Sequence, residues 1–196
     1  NRDRDSSRSF GNFNGGGSKF GNKEAGMNLQ KIDWSQIELT PFQKNFYSEN
    51  STVKERSQSD IDKFREEHQI SIKSSYAPRP VFSFEEAQFP SYISEQLTSR
   101  FKTPSPIQSQ GWPAAMGGND VIGIAQTGSG KTISFLLPGF VHINAQPSLR
   151  YGDGPIMLVL APTRELAMQI QEECLKFSRS AKIYSTCVYG GADKWG

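Results

Sequence analysis

Short apolar runs alternate with helical patterns in the second half of the chain. Segments 121–125, 156–160 and 182–189 are rich in aliphatic, β-branched or aromatic residues and have the length of buried strands. Residues from Lys131 onward and residues 164–177 instead place apolar side chains three and four positions apart, which favours amphipathic helices. Strand, helix, strand, helix, strand at this spacing predicts an α/β fold, with a parallel sheet and helices on both faces.

Prolines and a capping pattern mark further helices. Pro90 and Pro106 suit the first position of helices that run to about residues 101 and 116. The pattern at 59–62 resembles a capping box and predicts a short helix that ends near residue 69. Pro138 lies inside a helical pattern, so we expect it to kink that helix or to end it early.

The first 26 residues differ in composition from the rest. They contain no Val, Ile, Leu or Trp, and Gly, Asn, Ser, Arg and Asp dominate. Such a stretch buries too little apolar surface to offset its ordering entropy, so we expect it to be disordered. Phe10, Phe13 and Phe20 lie among glycines and arginines and could stack on nucleic-acid bases. A flexible solvating tail explains them equally well.

Charge and cysteine content say little about which ligands the protein binds. The formal net charge of +2 is too small to indicate nucleic-acid binding without clustering. The two cysteines and two histidines show no metal-ligand or disulfide spacing, so a zinc site is not expected. The sequence has no apolar run of about 18 residues and no signal-peptide pattern, so we expect a soluble protein of a reducing, intracellular compartment.

A glycine-bearing turn joins the first predicted strand to the next helix. Backbone N–H groups and a helix N-terminus converge there, which favours phosphate. Gly128 and Gly130 allow close approach, Lys131 supplies a charge for the β- and γ-phosphates, and Thr132 offers a hydroxyl to Mg²⁺. The usual pattern begins with Gly where this chain has Ala. The alternative is a plain turn beside a solvated lysine.

We interpret this turn as a nucleoside triphosphate site, in which Lys131 and Thr132 are the catalytic candidates. Its residues are Ala125, Gln126, Thr127, Gly128, Ser129, Gly130, Lys131 and Thr132.

Gln108 and Phe84 are candidates for recognising the base. A glutamine amide can accept a hydrogen bond from N6 of adenine and donate one to N7, whereas guanine has an acceptor, O6, in place of N6. Phe84, seventeen residues before Phe101, could stack on the base. Taken alone, a helical glutamine is usually a surface residue, and such a phenylalanine usually belongs to the core.

The nine residues from Arg100 to Gln108, with Phe84 upstream, resemble the Q motif of DEAD-box RNA helicases. In that family the glutamine and the aromatic residue recognise adenine. The resemblance therefore carries these roles to Gln108 and Phe84, and it implies ATP and Mg²⁺ as ligands. Arg100 departs from the family pattern, which has Gly at this position.

Two further segments resemble RNA-binding motifs of the same family. The six residues from Pro162 to Ala167 resemble motif Ia, and Tyr189-Gly190-Gly191 resembles the GG motif. Thr163 suits a helix N-cap and Arg164 can reach a phosphate, although a capped helix with a surface arginine has the same pattern. The resemblance implies contacts to the RNA backbone, with little sequence specificity, by Pro162, Thr163, Arg164, Gly190 and Gly191.

The resemblance also implies a domain order. A RecA-like first lobe would occupy 111–196, after a Q-motif region at 82–110, an N-terminal extension at 31–81 and the tail at 1–30. The extension resembles that of a nuclear subfamily whose members have glycine- and arginine-rich tails and act in ribosomal RNA processing and mRNA surveillance. We therefore expect ribonucleoprotein partners, no membrane association, and a location in the nucleus, with the cytoplasm as a second site.

The function that the resemblance implies is that of an ATP-dependent RNA helicase, an RNA-stimulated ATPase that unwinds or remodels RNA duplexes and ribonucleoproteins. The family's Asp-Glu-Ala-Asp motif, its Ser-Ala-Thr motif and its second RecA-like lobe do not occur in this sequence. We therefore expect the chain to be the N-terminal part of a larger enzyme and to be inactive alone.

Two alternatives remain open. One is a non-catalytic RNA-binding module that uses the tail and the glycine pair. The other is a different P-loop enzyme, such as a GTPase or a nucleotide kinase. The guanine signature Asn-Lys-x-Asp is missing from the sequence, which disfavours a GTPase.

Overall fold

The computed structural model describes residues 31, 33–37 and 42–190. The tail expected over the first 26 residues lies outside the described residues, as does Gly191. Within the described part, none of the helices combines the length and the apolar composition that a membrane span requires.

The chain divides into two units, Asn1–Thr40 and Pro41–Gly196. In the described part of the first unit, a short 3-10 helix spans Trp34–Gln36. The carboxylate of Asp33 caps it by accepting the Ser35 N–H at 3.1 Å. The second unit contains the α-helices described next and all candidate site residues that the structure describes.

Six α-helices occur among the described residues of the second unit. They are α1 (Ser51–Glu55), α2 (Gln58–Glu67), α3 (Ser91–Arg100), α4 (Pro106–Met116), α5 (Lys131–Asn144) and α6 (Arg164–Ala181). Helix α4 packs on α5, and α6 packs on both α5 and α3. Helices α3 and α4 confirm the elements predicted from Pro90 and Pro106, and α6 extends four residues beyond its predicted end at Phe177.

The short helix predicted from the capping pattern is present, but it begins earlier than predicted. Ser57 is its N-cap, because its Oγ accepts the Asp60 N–H at 3.1 Å. Ile61 on its inner face is buried. Several polar residues near 57–60 could accept a hydrogen bond from a free N–H of the first turn. The pattern therefore predicts that a helix is present but does not predict its first residue.

Helix α5 continues through Pro138 to Asn144, so the expectation that this proline ends the helix early is wrong. A proline inside a helix removes one backbone hydrogen bond and costs about 3 kcal/mol or more. The same helix buries Ile133, Leu136 and Phe140. Burial of each such side chain contributes about 1.5–3 kcal/mol, so the packed face outweighs the lost bond.

The three segments predicted as strands have no regular secondary structure among the described residues, so the parallel sheet is not confirmed. Within one of these segments, residues 157–160 nevertheless alternate in burial. Met157 and Val159 pack against the core, whereas Leu158 and Leu160 are 73% and 82% exposed. This alternation is typical of an extended segment with one covered face. A strand also needs neighbouring strands for its backbone bonds, and these segments do not pair with one another.

The hydrophobic core lies where α3, α4, α5 and α6 meet the segment before α3. Trp112 of α4 is fully buried at its centre, and its indole N–H donates to the Ile133 carbonyl at 3.4 Å. Val53 of α1 and Val81 also belong to this core, so the segment before α3 is packed into it. The buried apolar residues include Val53, Val81, Phe84, Ala87, Phe89, Ile93, Leu97, Trp112, Met116, Ile133, Leu136, Leu137, Phe140, Cys174, Phe177 and Ala181.

Tyr47 packs against this core and has a hydroxyl that is buried without a hydrogen-bond partner. Burial, together with the nearby carboxylates of Glu49 and Glu86, raises the pKa of Tyr47 to about 12 from an ordinary value of 10.0. Because the folded state favours the protonated phenol, this contribution to stability is complete below pH 10 and is lost as the pH rises through about 12.

We therefore expect the free energy of unfolding to fall more steeply between pH 10 and 12 in the wild type than in Tyr47→Phe. Denaturant unfolding across this range measures the difference. Tyr76→Phe is the matched control because Tyr76 is 70% exposed. Equal pH dependence in the wild type and Tyr47→Phe would refute the assignment.

Candidate functional site

The turn between residue 125 and α5 adopts a conformation that requires its glycines. Gly128 and Gly130 have φ angles of +77° and +83°, in the left-handed region that favours glycine. Gly130 is the N-cap of α5, so the free N–H groups of that helix begin directly after the turn. The loop therefore presents backbone donors and the positive end of a helix dipole at one place.

Lys131 closes this loop on itself. Its Nζ donates to the carbonyl oxygens of Ala125 and Gln126, each at 2.6 Å. The side chain is partly buried and bends back over the turn that precedes it. An ammonium has three donors, so a phosphate oxygen could bind Lys131 beside these carbonyls or in their place.

Two buried hydroxyls beside the loop have no hydrogen-bond partner. They are the Oγ atoms of Ser129, within the loop, and of Ser105, at the N-terminus of α4. A buried hydroxyl without a partner costs about 1–3 kcal/mol, which a ligand with acceptor oxygens would recover. A phosphate fits the donor set of this loop: Ser129, Lys131, Thr132 and the helix N-terminus.

Gln108 connects α4 to the loop. Its Oε1 accepts the Ser105 N–H at 3.0 Å, and its Nε2 donates to the Gly130 carbonyl at 3.2 Å. The residue is only 7% exposed. An amide oxygen accepts two hydrogen bonds and an amide nitrogen donates two, so Gln108 keeps one acceptor and one donor for an adenine edge.

The remaining predicted nucleotide residues are placed differently. Gln126 and Thr127 are exposed on the loop, and Thr132 is partly buried in the first turn of α5. Phe84 is 3% exposed and lies in the core, with its ring centroid 6.1 Å from that of Trp112. Stacking of Phe84 on a base would require one ring face to become uncovered, and this role stays a prediction.

The structure brings together the two segments predicted to contact RNA. Thr163 caps α6 as expected, since its Oγ1 accepts the Leu166 N–H at 3.2 Å. The guanidinium carbon of Arg164 lies 4.3 Å from the ring centroid of Tyr189, which precedes the exposed Gly190. Pro162 and Gly190 therefore flank an arginine–aromatic pair that is suited to phosphate and base contacts.

Metal binding by side chains alone finds no support in the described residues. No group of three or more His, Cys, Asp or Glu side chains there is arranged to hold a metal ion.

Most of the chain is similar in sequence to known RNA helicases. The DEAD/DEAH box helicase family profile matches residues 105–195, which include the loop, α5 and α6. Over 172 residues the chain is 55% identical to "ATP-dependent RNA helicase dbp2" of Sclerotinia sclerotiorum. Residues 105–195 of the chain therefore match the DEAD/DEAH box helicase family.

Other relatives agree with this assignment. The chain is 56% identical over 167 residues to ATP-dependent RNA helicase DBP2 of Candida albicans. The two matches cover 87% and 85% of this chain but 30% of each relative. The chain therefore spans about 30% of the length of these helicases.

Solved structures of DEAD-box helicases resemble the fold. The RNA helicase Prp28 from Chaetomium thermophilum, bound to ADP, superposes with a TM-score of 0.66 at 36% identity, covering 75% of this chain and 36% of that one. The yeast DEAD-box splicing factor Prp28 gives a TM-score of 0.61 at 31% identity, covering 66% of this chain and 31% of that one. These structural neighbours are RecA-like helicase domains.

Two residues that contribute to the candidate site did not figure among the predicted site residues. Ser105 supplies the N–H that orients Gln108, and the sequence signal was the capping pattern Ser105-Pro106-Ile107-Gln108. Tyr189 packs on Arg164, and the signal was an aromatic residue directly before the glycine pair.

Proposed function

We propose that this protein is an ATP-dependent RNA helicase, an RNA-stimulated ATPase that unwinds or remodels RNA duplexes and ribonucleoproteins. The observation that carries the proposal is the coupling of loop 125–132 to Gln108 through the Gly130 carbonyl. This contact supports the proposal because it joins the candidate adenine-reading amide to the candidate phosphate-binding turn. A GTPase or a plain glycine turn would not require that arrangement.

In the proposed site, the loop from Ala125 to Thr132 holds the phosphates of ATP. Lys131 would neutralise the β- and γ-phosphates, Ser129 would donate its hydroxyl to a phosphate oxygen, and Thr132 would help to hold Mg²⁺. The ion would supply charge neutralisation on the phosphates. Gln108 reads adenine through its remaining donor and acceptor, and Phe84 stacks on the base after a rearrangement of the core edge.

The proposed RNA surface uses Pro162, Thr163, Arg164, Gly190 and Gly191. Arg164 at the start of α6 and the backbone N–H groups there would bind phosphates without reading sequence. The pairing of Arg164 with Tyr189 supports this proposal because it brings two separate motifs to one surface. We further propose that the protein has ribonucleoprotein partners and that it is located in the nucleus, with a second pool in the cytoplasm.

We also propose that segments 121–125, 156–160 and 182–189 are strands of a parallel RecA-like sheet in the complete lobe. The alternating burial of residues 157–160 supports this, because Met157 and Val159 pack against the core that contains residues of α5 and α6. Ile122 and Ile124, which are 92% and 93% exposed, would pack under helices on the second face.

Lys131→Ala is expected to weaken binding of a fluorescent ATP analogue to this chain about 10- to 100-fold, because hydrogen bonds to charged groups contribute about 1.5–3 kcal/mol. Circular dichroism of the variant verifies folding, since Lys131 also donates to two loop carbonyls. Fluorescence titration with ATP and GTP analogues measures the effect.

Lys54→Ala on the exposed side of α1 is the control for a lost lysine charge. Binding that is equal in wild type and Lys131→Ala would contradict the nucleotide site. RNA-stimulated ATP turnover by the 196-residue chain, abolished by Lys131→Ala, would contradict the expectation that the chain alone is inactive.

A further inference from the structure

A basic groove runs along the surface where α3 meets the second half of α6. It encloses about 510 Å³ and is lined by Gln96, Arg100, Leu175, Lys176, Arg179 and Ser180. Three of these six residues are cationic, so positive charge is clustered here although the chain as a whole carries a net charge of only +2. Clustering of this kind, rather than net charge, indicates an anionic partner.

The two arginines of the groove keep their charge available. Arg100 donates to the Gln96 Oε1 at 3.3 Å, and its guanidinium carbon lies 5.6 Å from the ring centroid of Phe177. Neither Arg100 nor Arg179 forms an ion pair within the described residues, whereas Lys176 pairs with Glu173.

An apolar residue lies between these cations. Leu175 is 56% exposed and lines the same groove, although large aliphatic side chains are usually buried. The nearest aromatic ring, that of Phe177, is 2% exposed and cannot stack on a base. A groove with cations and an exposed leucine therefore suits a peptide better than a nucleic-acid strand, which gains most from stacking surfaces.

The α6 side of this groove is distant from the candidate RNA residue Arg164. Arg179 lies fifteen residues after Arg164 on α6, which corresponds to about 22 Å along the helix axis. The cations at the end of α6 therefore do not extend the surface formed by Arg164 and Tyr189.

We propose that the groove between α3 and α6 binds an acidic peptide segment of a partner protein. Its carboxylates pair with Arg100 and Arg179, whose planar guanidinium groups bind carboxylates in a bidentate geometry. An apolar side chain of the segment covers Leu175, which removes that side chain from water. Arg100 makes the groove more basic than a glycine at the same position would.

The test measures binding of a labelled peptide of four Asp or Glu residues around one leucine to the 196-residue chain, by fluorescence anisotropy. We expect Arg100→Gly and Arg179→Ser each to weaken binding about tenfold. Replacing the peptide leucine with serine should weaken it to a similar extent. Lys63→Glu, at a position with a 74% exposed side chain, reverses a charge elsewhere and should leave affinity unchanged.

Arg100→Gly is a mild substitution, because glycine is common where helices end, and circular dichroism of each variant verifies folding. Binding that does not depend on Arg100 and Arg179, or no detectable peptide binding, would overturn the proposal. A twelve-nucleotide oligouridine that binds more tightly than the peptide, and loses affinity in the same two variants, would overturn it in favour of RNA.

Discussion

Replacing Arg56 with alanine is expected to lower the free energy of unfolding by about 3–5 kcal/mol, because it leaves a buried carboxylate without its partner. Arg56 donates to the Glu86 Oε1 at 2.6 Å and to the Pro80 carbonyl at 2.7 Å. Only 9% of the Arg56 side chain and 15% of the Glu86 side chain are exposed. The guanidinium carbon also lies 3.5 Å from the ring centroid of Phe82.

Arg56 anchors the α1–α2 segment to the residues that lead into α3. The second oxygen of Glu86 accepts the Phe82 N–H at 2.6 Å, so one carboxylate holds both a side chain and the backbone. Phe82 in turn stacks on Phe64 of α2, with centroids 4.2 Å apart. Loss of Arg56 therefore removes a charged partner, a cation–π contact and the support for this stack.

Arg79→Ala is the matched control. Arg79 pairs with Glu49 at 3.2 Å over the same sequence separation, but 44% of its side chain is exposed. An exposed pair contributes about 0–1 kcal/mol. The free energies of unfolding of the two variants, measured with denaturant, should therefore differ by at least about 2 kcal/mol, because a buried pair contributes more than an exposed pair. Equal destabilisation by Arg56→Ala and Arg79→Ala would show that burial does not strengthen this contact.

The helices could be predicted from the sequence because local signals specify them. Prolines at 90 and 106 and Thr163 mark the starts of α3, α4 and α6, and apolar spacing marks their buried faces. Helix α1 was not predicted, since five residues are too few to show a period. Its N-cap, Asn50, accepts the Thr52 N–H at 3.0 Å and was the one available signal.

Features that depend on distant parts of the chain were less predictable. The apolar runs predicted strands, but a strand requires neighbours that a single run does not specify, and the described segments remain unpaired. In the same way, the loop from 125 to 132 could be recognised locally, whereas the bond from Gln108 to the Gly130 carbonyl joins residues 22 positions apart. Tertiary packing also placed Phe84 against Trp112, which its spacing from Phe101 did not indicate.

Gly130→Ala is expected to destabilise the chain by about 2–4 kcal/mol, which combines the cost of a left-handed alanine with that of a lost buried hydrogen bond. Gly130 has a φ angle of +83°, and an added Cβ would clash with the Gln108 Nε2. Gln108 would have to move away from the Gly130 carbonyl, and its 7% exposure leaves little room for that movement. Nucleotide binding should fall as well, because the candidate base-reading amide is displaced from the loop.

Gly128→Ala is the control that has backbone strain without a clash. Gly128 has a φ angle of +77°, but an added Cβ would have nothing within 4 Å. It should cost only the backbone strain, about 1–2 kcal/mol. If the contact with Gln108 is the cause, Gln108→Ala combined with Gly130→Ala should be less destabilising than the sum of the two single changes. Denaturant unfolding and ATP-analogue titration of all four variants measure this coupling. Additive costs would mean that Gly130 acts through its own backbone, and that the loop does not depend on Gln108.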